Sequence, residues 1–381
     1  MTIAYSGDNI TFPDNSVQAT APRVGMVNRL INSDMRIDQR NAGAAVTTHG
    51  SFVTDRWACA FANGSASGIS VQQSSTVPSS AGFINSLVYT VTTGGAVGAT
   101  GSYGLQQRIE GYNFSDILSG TASAKQFTVS FWVRSSITGT YGMAFRNSAR
   151  DRSYIATYAV SSANTWEQKA VTVTADTSGT WLTTNGTGLD VFFDLGAGTS
   201  GSTTAGSWQA GNYIGLTGGV KLVETSGATF YVTGVQLEKG STATDFEYMD
   251  YSRQLQMCQR YYEKSYGSTQ LPGAVSVLAG ASGPAGNGGI PASTAGECCR
   301  GFRLGFAAQK RTTPTMVLYD WTGTANAVRV YPADGMRGGV TSLNYITDSG
   351  SSLNINFDSS SAQAITASSV IAFNWTATAE L

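Results

Sequence analysis

Asp190 and Asp194 stand four residues apart in Leu189-Asp190-Val191-Phe192-Phe193-Asp194-Leu195. In a strand, that spacing returns both side chains to one face. Two carboxylates facing the same space are what acid–base cleavage of a glycoside needs, provided roughly 5 to 9.5 Å separates them. Glu238, Asp245, Glu247 and Asp250 form a second acidic stretch. In a chain with 24 acidic residues such local pairs arise without a catalytic cause, so the expectation is no enzyme and no catalytic residue. The single histidine, His49, lies in Thr47-Thr48-His49-Gly50-Ser51, and no Gly-x-Ser-x-Gly elbow accompanies it. It reads as a polar loop residue. Cys59, Cys258, Cys298 and Cys299 show no CxxC spacing, which argues against structural zinc and for reduced thiols used as small apolar groups. The acidic spacing of an EF-hand is missing too. No metal and no cofactor is expected.

Sugar binding asks for different residues. The ring faces of a glycan stack on Trp and Tyr, and its hydroxyls bond to Asn, Gln, Asp and Arg. Tyr319, Trp321, Tyr331 and Tyr345 lie close to turn-rich segments, and these four are the candidate glycan-binding residues. Trp57 and Trp132 are flanked by strand residues and read as core.

The elements that must carry these residues are strands. Only 12% of the 381 residues are charged, about half the ~25% of an average globular chain. Long exposed helices therefore lack their usual outer face, whereas strands faced with Thr and Ser do not. Net charge is −1 with no basic run, which sets nucleic acid aside because phosphate binding needs clustered Lys and Arg. No apolar segment approaches the ~20 residues of a membrane helix, so membrane insertion is not expected. Met1-Thr2-Ile3-Ala4-Tyr5 does not open a signal peptide, and synthesis in a cytoplasm is the expectation.

Alternation of apolar with Thr, Ser or Gln marks Gly68–Gln72, Ser86–Thr92, Phe127–Val133, Glu167–Thr174, Leu189–Leu195 and Thr229–Leu237 as half-buried antiparallel strands. The fold class that follows is all-β: a jelly-roll-like β-sandwich over 30–247 and a smaller β domain over 267–381, joined by a short helix within 248–266. Residues 1–29 read as a hairpin tip too small to fold alone. Asp250 caps the helix, and Tyr251, Leu255, Cys258 and Tyr262 form one stripe of about four turns. That stripe is either a seam between subunits or a face packed on its own domain.

Several stretches, in order, resemble a known family. Ile10-Thr11-Phe12-Pro13-Asp14-Asn15-Ser16-Val17-Gln18 is similar to the ITFPDGS-Q element at the start of phage tail fibre proteins, with Asn15 for the usual Gly. Asn32-Ser33-Asp34-Met35-Arg36-Ile37-Asp38-Gln39-Arg40-Asn41-Ala42-Gly43 resembles the NGDMRIDQRNAG opening of a tail-protein sandwich domain. Gly234-Val235-Gln236-Leu237-Glu238-Lys239-Gly240 and Cys258-Gln259-Arg260-Tyr261-Tyr262-Glu263-Lys264 belong to the same set. The resemblance covers about 8–265 and weakens over the last hundred residues. It implies a virion component, usually a homotrimer, reaching the outside by cell lysis. Ile10, Phe12, Pro13, Asp14 and Gln18 would then attach it to phage tail or baseplate proteins, Tyr251, Leu255, Cys258 and Tyr262 would form the trimer seam, and the distal domain would bind a host surface glycan. The rival readings are a head decoration or tail connector without receptor contact, and a tail-borne polysaccharide depolymerase.

Overall fold

The computed structural model describes residues 26–62, 68–79, 81–275, 305–320, 322–326 and 373–381, and as strand backbone 4–6, 9–11, 17–18, 302–304, 328–331, 337–340, 342–348, 352–358 and 370–372. Two antiparallel sheets face each other. One has seven strands in the order Trp208–Ala210, Arg152–Val160, Gly139–Arg146, Thr187–Ala197, Ser102–Glu110, Trp57–Ala62, Phe52–Thr54. The other has five, Glu167–Thr174, Gln126–Ser135, Thr229–Lys239, Ser86–Thr93, Gly68–Ser74. The expected sandwich is present, and a smaller set of three-stranded sheets follows it.

Period-2 alternation builds the core. Phe127, Val129, Phe131 and Val133 from one sheet meet Leu189, Val191, Phe193 and Leu195 from the other, all fully buried. Phe131 and Phe193 cross edge to face at 5.2 Å between centroids, the arrangement that aromatic quadrupoles favour. Trp57 is fully buried as expected. Trp132 instead alternates with Phe131 and Val133 and is only half-buried, on the outer side of its sheet. The phase also breaks once. Val232, Val235 and Leu237 all point inward although the first two are an odd three positions apart, because Gly234 adopts φ 59° and the pairing shifts between Thr233 and Gln236. A Cβ at Gly234 would meet the Phe83 ring at 2.3 Å, so glycine is required at this bulge.

The helix is shorter than its stripe suggests. It runs Tyr251–Gln259, with the Asp250 carboxylate accepting from the Arg253 N–H at 2.9 Å, the N-cap arrangement expected. Tyr262 lies outside it, in the strand Tyr262–Lys264, which pairs with Asn374–Thr378, itself paired to Thr315–Tyr319. The chain leaves the helix early because Tyr261 and Arg260 turn inward to bind the buried Glu110 carboxylate, at 2.6 Å each. Cys258 and Tyr261 pack with Ile31 and Ile37 of the same chain, with Leu255, Met257 and Leu381 against them. Of the four stripe residues, Cys258 and Tyr262 are thus buried within this chain, while Tyr251 is 47% exposed.

The loop over 32–43 is a polar knot. Asn32, at φ 54°, exchanges hydrogen bonds with the backbone N–H and C=O of Ile37, and its own carbonyl accepts from the Trp57 indole. Asp38 accepts from the N–H groups of Arg40, Asn41 and Gly43, and Arg36 donates to the Met249 carbonyl and Gln254. A segment without regular structure can be this buried only if its polar groups are satisfied. The loop is therefore the knot tying sandwich to helix.

The expected N-terminal hairpin is visible as Asn9–Thr11 paired antiparallel with Val17–Gln18, with Ile10 opposite Gln18. Phe12, Pro13 and Asp14 lie outside the described residues.

Candidate functional site

Of the four sequence candidates for glycan binding, Tyr319 alone is described with its side chain. Tyr319 is half-buried on the strand Thr315–Tyr319, its ring edge to face with Tyr266 at 5.9 Å. Trp321 lies outside the described residues, and Tyr331 and Tyr345 are placed only as backbone, on the strands Val328–Tyr331 and Ser342–Asp348. Tyr251 and Leu255 line a cavity of about 420 Å³ with Arg36, Gln73, Lys264 and Tyr266.

A cavity of about 420 Å³ opens elsewhere, over the outer face of the seven-stranded sheet. Its floor follows from cross-strand register. Asp190 is opposite Arg108 on one side and Arg146 on the other. One step along the strands, Phe192 is opposite Gln106 and Ala144, and Gln106 is opposite Ala58. Small residues leave room here: Ala58, Ala60 and Gly104 share the face, and a Cβ at Gly104 would meet the Phe192 ring at 2.5 Å. The walls come from Phe52 at the start of the edge strand and from His49, Arg150, Ser200, Asn212 and Ile214, which lie outside the strands.

The polar groups of the floor are held firmly. The Asp190 carboxylate accepts from Gln106 Nε2 and from Arg146 Nη2, each at 2.6 Å. Arg146 also donates from Nη1 to Asn212 at 2.7 Å, and its guanidinium carbon lies 5.7 Å from the Phe192 ring centre. Its Nε has no partner although it is buried. Arg56 is 2% exposed, pairs with Glu380, donates to the Arg108 carbonyl and stacks on Tyr261 at 3.6 Å. Arg108 donates to the main-chain oxygen of Leu381. Burial pushes its guanidinium below the ordinary arginine range, and the charges of Arg150, Arg146 and Arg56 push the same way against Asp190. Arg150 is exposed and makes no ion pair among the described residues. At His49, Nδ1 accepts from the Phe61 N–H at 2.6 Å, which fits the expected loop role, and burial lowers its pKa.

Asp190 and Asp194 do share this outer face, but neither presents a free carboxyl. Asp194 is 3% exposed and accepts from the N–H groups of Gly196 and Leu216, at 3.0 Å each. Burial raises it from 3.8 to about 7, and it raises Asp55 by the same route to about 7. Both groups hold protons in the folded chain over a pH range where the unfolded chain has lost them. Stability must therefore fall as pH rises from about 4 to about 7. Melting is expected to occur several degrees lower at pH 8 than at pH 5; an equal or higher midpoint at pH 8 would contradict this. In the second acidic stretch Glu238 accepts from Thr244, Glu247 from the Asn28 N–H, and Asp250 caps the helix.

Cys59 and Cys258 are free and buried, and burial pushes the Cys59 thiol up to about 12. Cys298 and Cys299 lie outside the described residues. No cluster of three or more His, Cys, Asp or Glu placed to hold a metal occurs among the described residues.

Sequence reading passed over Arg56, Arg108, Arg146 and Arg150. A signal did exist: Arg108 and Arg146 occupy outward phases of their strands, where Thr or Ser is the rule in this chain. Nothing local says that the two strands flank the one carrying Asp190.

No protein-family model matches this chain, and no curated protein sequence matches it. Among solved structures it is similar to the enzymatically active domain of tailspike protein 4 from bacteriophage CBA120, at 13% identity and a TM-score of 0.32 over 56% of this chain and 22% of that one. It therefore spans about a fifth of that tailspike. A putative sugar-binding protein from Bacteroides thetaiotaomicron matches at 11% identity and a TM-score of 0.32, over 56% of this chain and 100% of the other. The family 11 carbohydrate-binding module of a Clostridium thermocellum cellulase matches at 13% identity and 0.27, over 53% and 98%. These superpositions are weak, and the cavity stands on its own geometry.

Proposed function

We propose that this chain is a non-catalytic adhesion protein that binds a glycan in the cavity on the outer face of its seven-stranded sheet, and that it serves as a homotrimeric subunit of a bacteriophage tail fibre. One observation carries the binding reading: an open cavity whose floor combines an apolar ring, Phe192, with the rigidly held polar groups of Gln106, Arg146 and Asn212. Glycan sites pair these ingredients, because apolar ring faces and hydroxyls alternate around a sugar. The virion setting rests on the sequence resemblance, and so does the expectation that the N-terminal segment docks on tail or baseplate proteins. The non-catalytic reading is supported by Asp190 and Asp194, which are buried and fully bonded where a glycosidase needs one free acid and one free base.

This cavity lies in the sandwich, a different place from the C-terminal aromatics Tyr319, Trp321, Tyr331 and Tyr345 that the sequence suggests. The test uses the full chain, sized by light scattering, fluorescently labelled and mixed with host cells and with purified host polysaccharide. A trimer that stains cells, competes with phage adsorption and releases no new reducing ends is the expected result. A stable monomer would remove the trimer. Folded protein that neither stains nor competes would reduce the role to particle structure, and fresh reducing ends would establish the depolymerase reading.

A further inference from the structure

The charge in the cavity is one-sided. Arg56, Arg108, Arg146 and Arg150 line it, and among the described residues no Asp or Glu side chain does; Leu381 lines it as well, its main-chain oxygen accepting from Arg108. Asp190 lies beneath the floor with its side chain 3% exposed and is occupied by Arg146 and Gln106. Glu380 lies outside the lining and is occupied by Arg56 and Arg40. Against four guanidinium groups, therefore, two carboxylates are close by, and both are already spent. Arg150 remains without an ion-pair partner among the described residues, and Arg108 has no Asp or Glu partner there, its Nη1 donating to the main-chain oxygen of Leu381. This imbalance is concentrated in a chain whose net charge is −1.

Gathering like charges beside one another in a partly desolvated space is unfavourable unless something relieves it. The cost is visible at Arg108, which burial and its three arginine neighbours hold below its ordinary range. The Arg146 Nε adds a buried donor with no acceptor. Chemically, the missing component is an anion with planar, paired oxygens, which a guanidinium fork meets with two parallel hydrogen bonds. We infer that the cavity is selective for an acidic glycan, one whose sugar carries a carboxylate that Arg108 and Arg150 receive while the ring lies over the Phe192 side of the floor. This rests on the glycan-binding reading above and names the class of ligand.

The test measures binding of the full chain to oligogalacturonate, to the same oligosaccharide as its methyl ester, and to dextran sulfate, by calorimetry at two salt concentrations. The ester keeps the ring and removes the charge. Oligogalacturonate is expected to bind at least tenfold more tightly than its ester, with affinity falling as salt rises. Arg150→Gln, at an exposed side chain, should lower that affinity by roughly tenfold and narrow the preference for acid over ester. Arg108→Gln should act in the same direction. Equal binding of acid and ester, lost together when Phe192 and Gln106 are replaced, would overturn the acidic preference and leave the glycan site in place. Preference for dextran sulfate over oligogalacturonate would overturn the carboxylate in favour of a sulfate or phosphate ester. Failure of all three probes to bind folded protein would overturn this inference, and with it the reading on which it rests only if host polysaccharide also fails.

Discussion

Glu380→Ala is expected to lower stability by about 3–5 kcal/mol, the cost of leaving a buried charge without its partner. The Glu380 carboxylate joins two arginines of the sandwich, Arg40 at 2.6 Å and Arg56, and only 8% of its side chain is exposed. Arg56 is almost wholly enclosed, with Tyr261 under its guanidinium plane. Around this pair the backbone is fastened as well: Arg311 donates to the carbonyls of Ala379 and Glu380 at 2.9 and 2.7 Å, and to the Asn185 carbonyl at 2.8 Å. The segment therefore clasps the strand Asn374–Thr378 to the sandwich. Two readouts follow. Thermal unfolding should shift down, and amide exchange should rise first in Tyr262–Lys264 and Asn374–Thr378. Glu380→Gln, which keeps one acceptor, should lose less. An unchanged melting point in the alanine variant would mean that the clasp does not hold the two parts together.

The second large effect is expected at Asp190. Asp190→Ala strands Arg146, 5% exposed at its side chain, next to Arg108 with only Asn212 as an acceptor. A loss of about 3–5 kcal/mol is expected. Removing both charges, as in Asp190→Ala with Arg146→Met, should cost clearly less than the single change, because no unpaired ion remains. The comparison also separates two roles for the carboxylate. A catalytic Asp190 would yield a stable Asp190→Asn variant that no longer cleaves polysaccharide. A structural Asp190 yields a destabilised chain with no cleavage to lose, and chemical denaturation of the single and double variants decides between them.

Much of the sandwich is decided by the sequence itself. The alternation in Glu167–Thr174 maps residue for residue onto its strand, and Phe127–Val133 and Leu189–Leu195 supply the two halves of the core that their periodicity demands. Asp250 as a helix cap follows from chemistry within three residues. These features were legible because each depends on near neighbours along the chain. Tertiary structure settled the rest. The helix stripe ran on to Tyr262 by spacing, yet Glu110, some 150 residues away, draws Tyr261 and Arg260 inward and ends the helix at Gln259. The cavity arises in the same way. Arg56, Arg108, Arg146 and Asp190 come from four places in the chain, and only the order of strands in the seven-stranded sheet sets them side by side. A period of two tells which face a residue takes; it carries no information on which strand will be its neighbour, because that choice is made by packing between segments far apart in sequence.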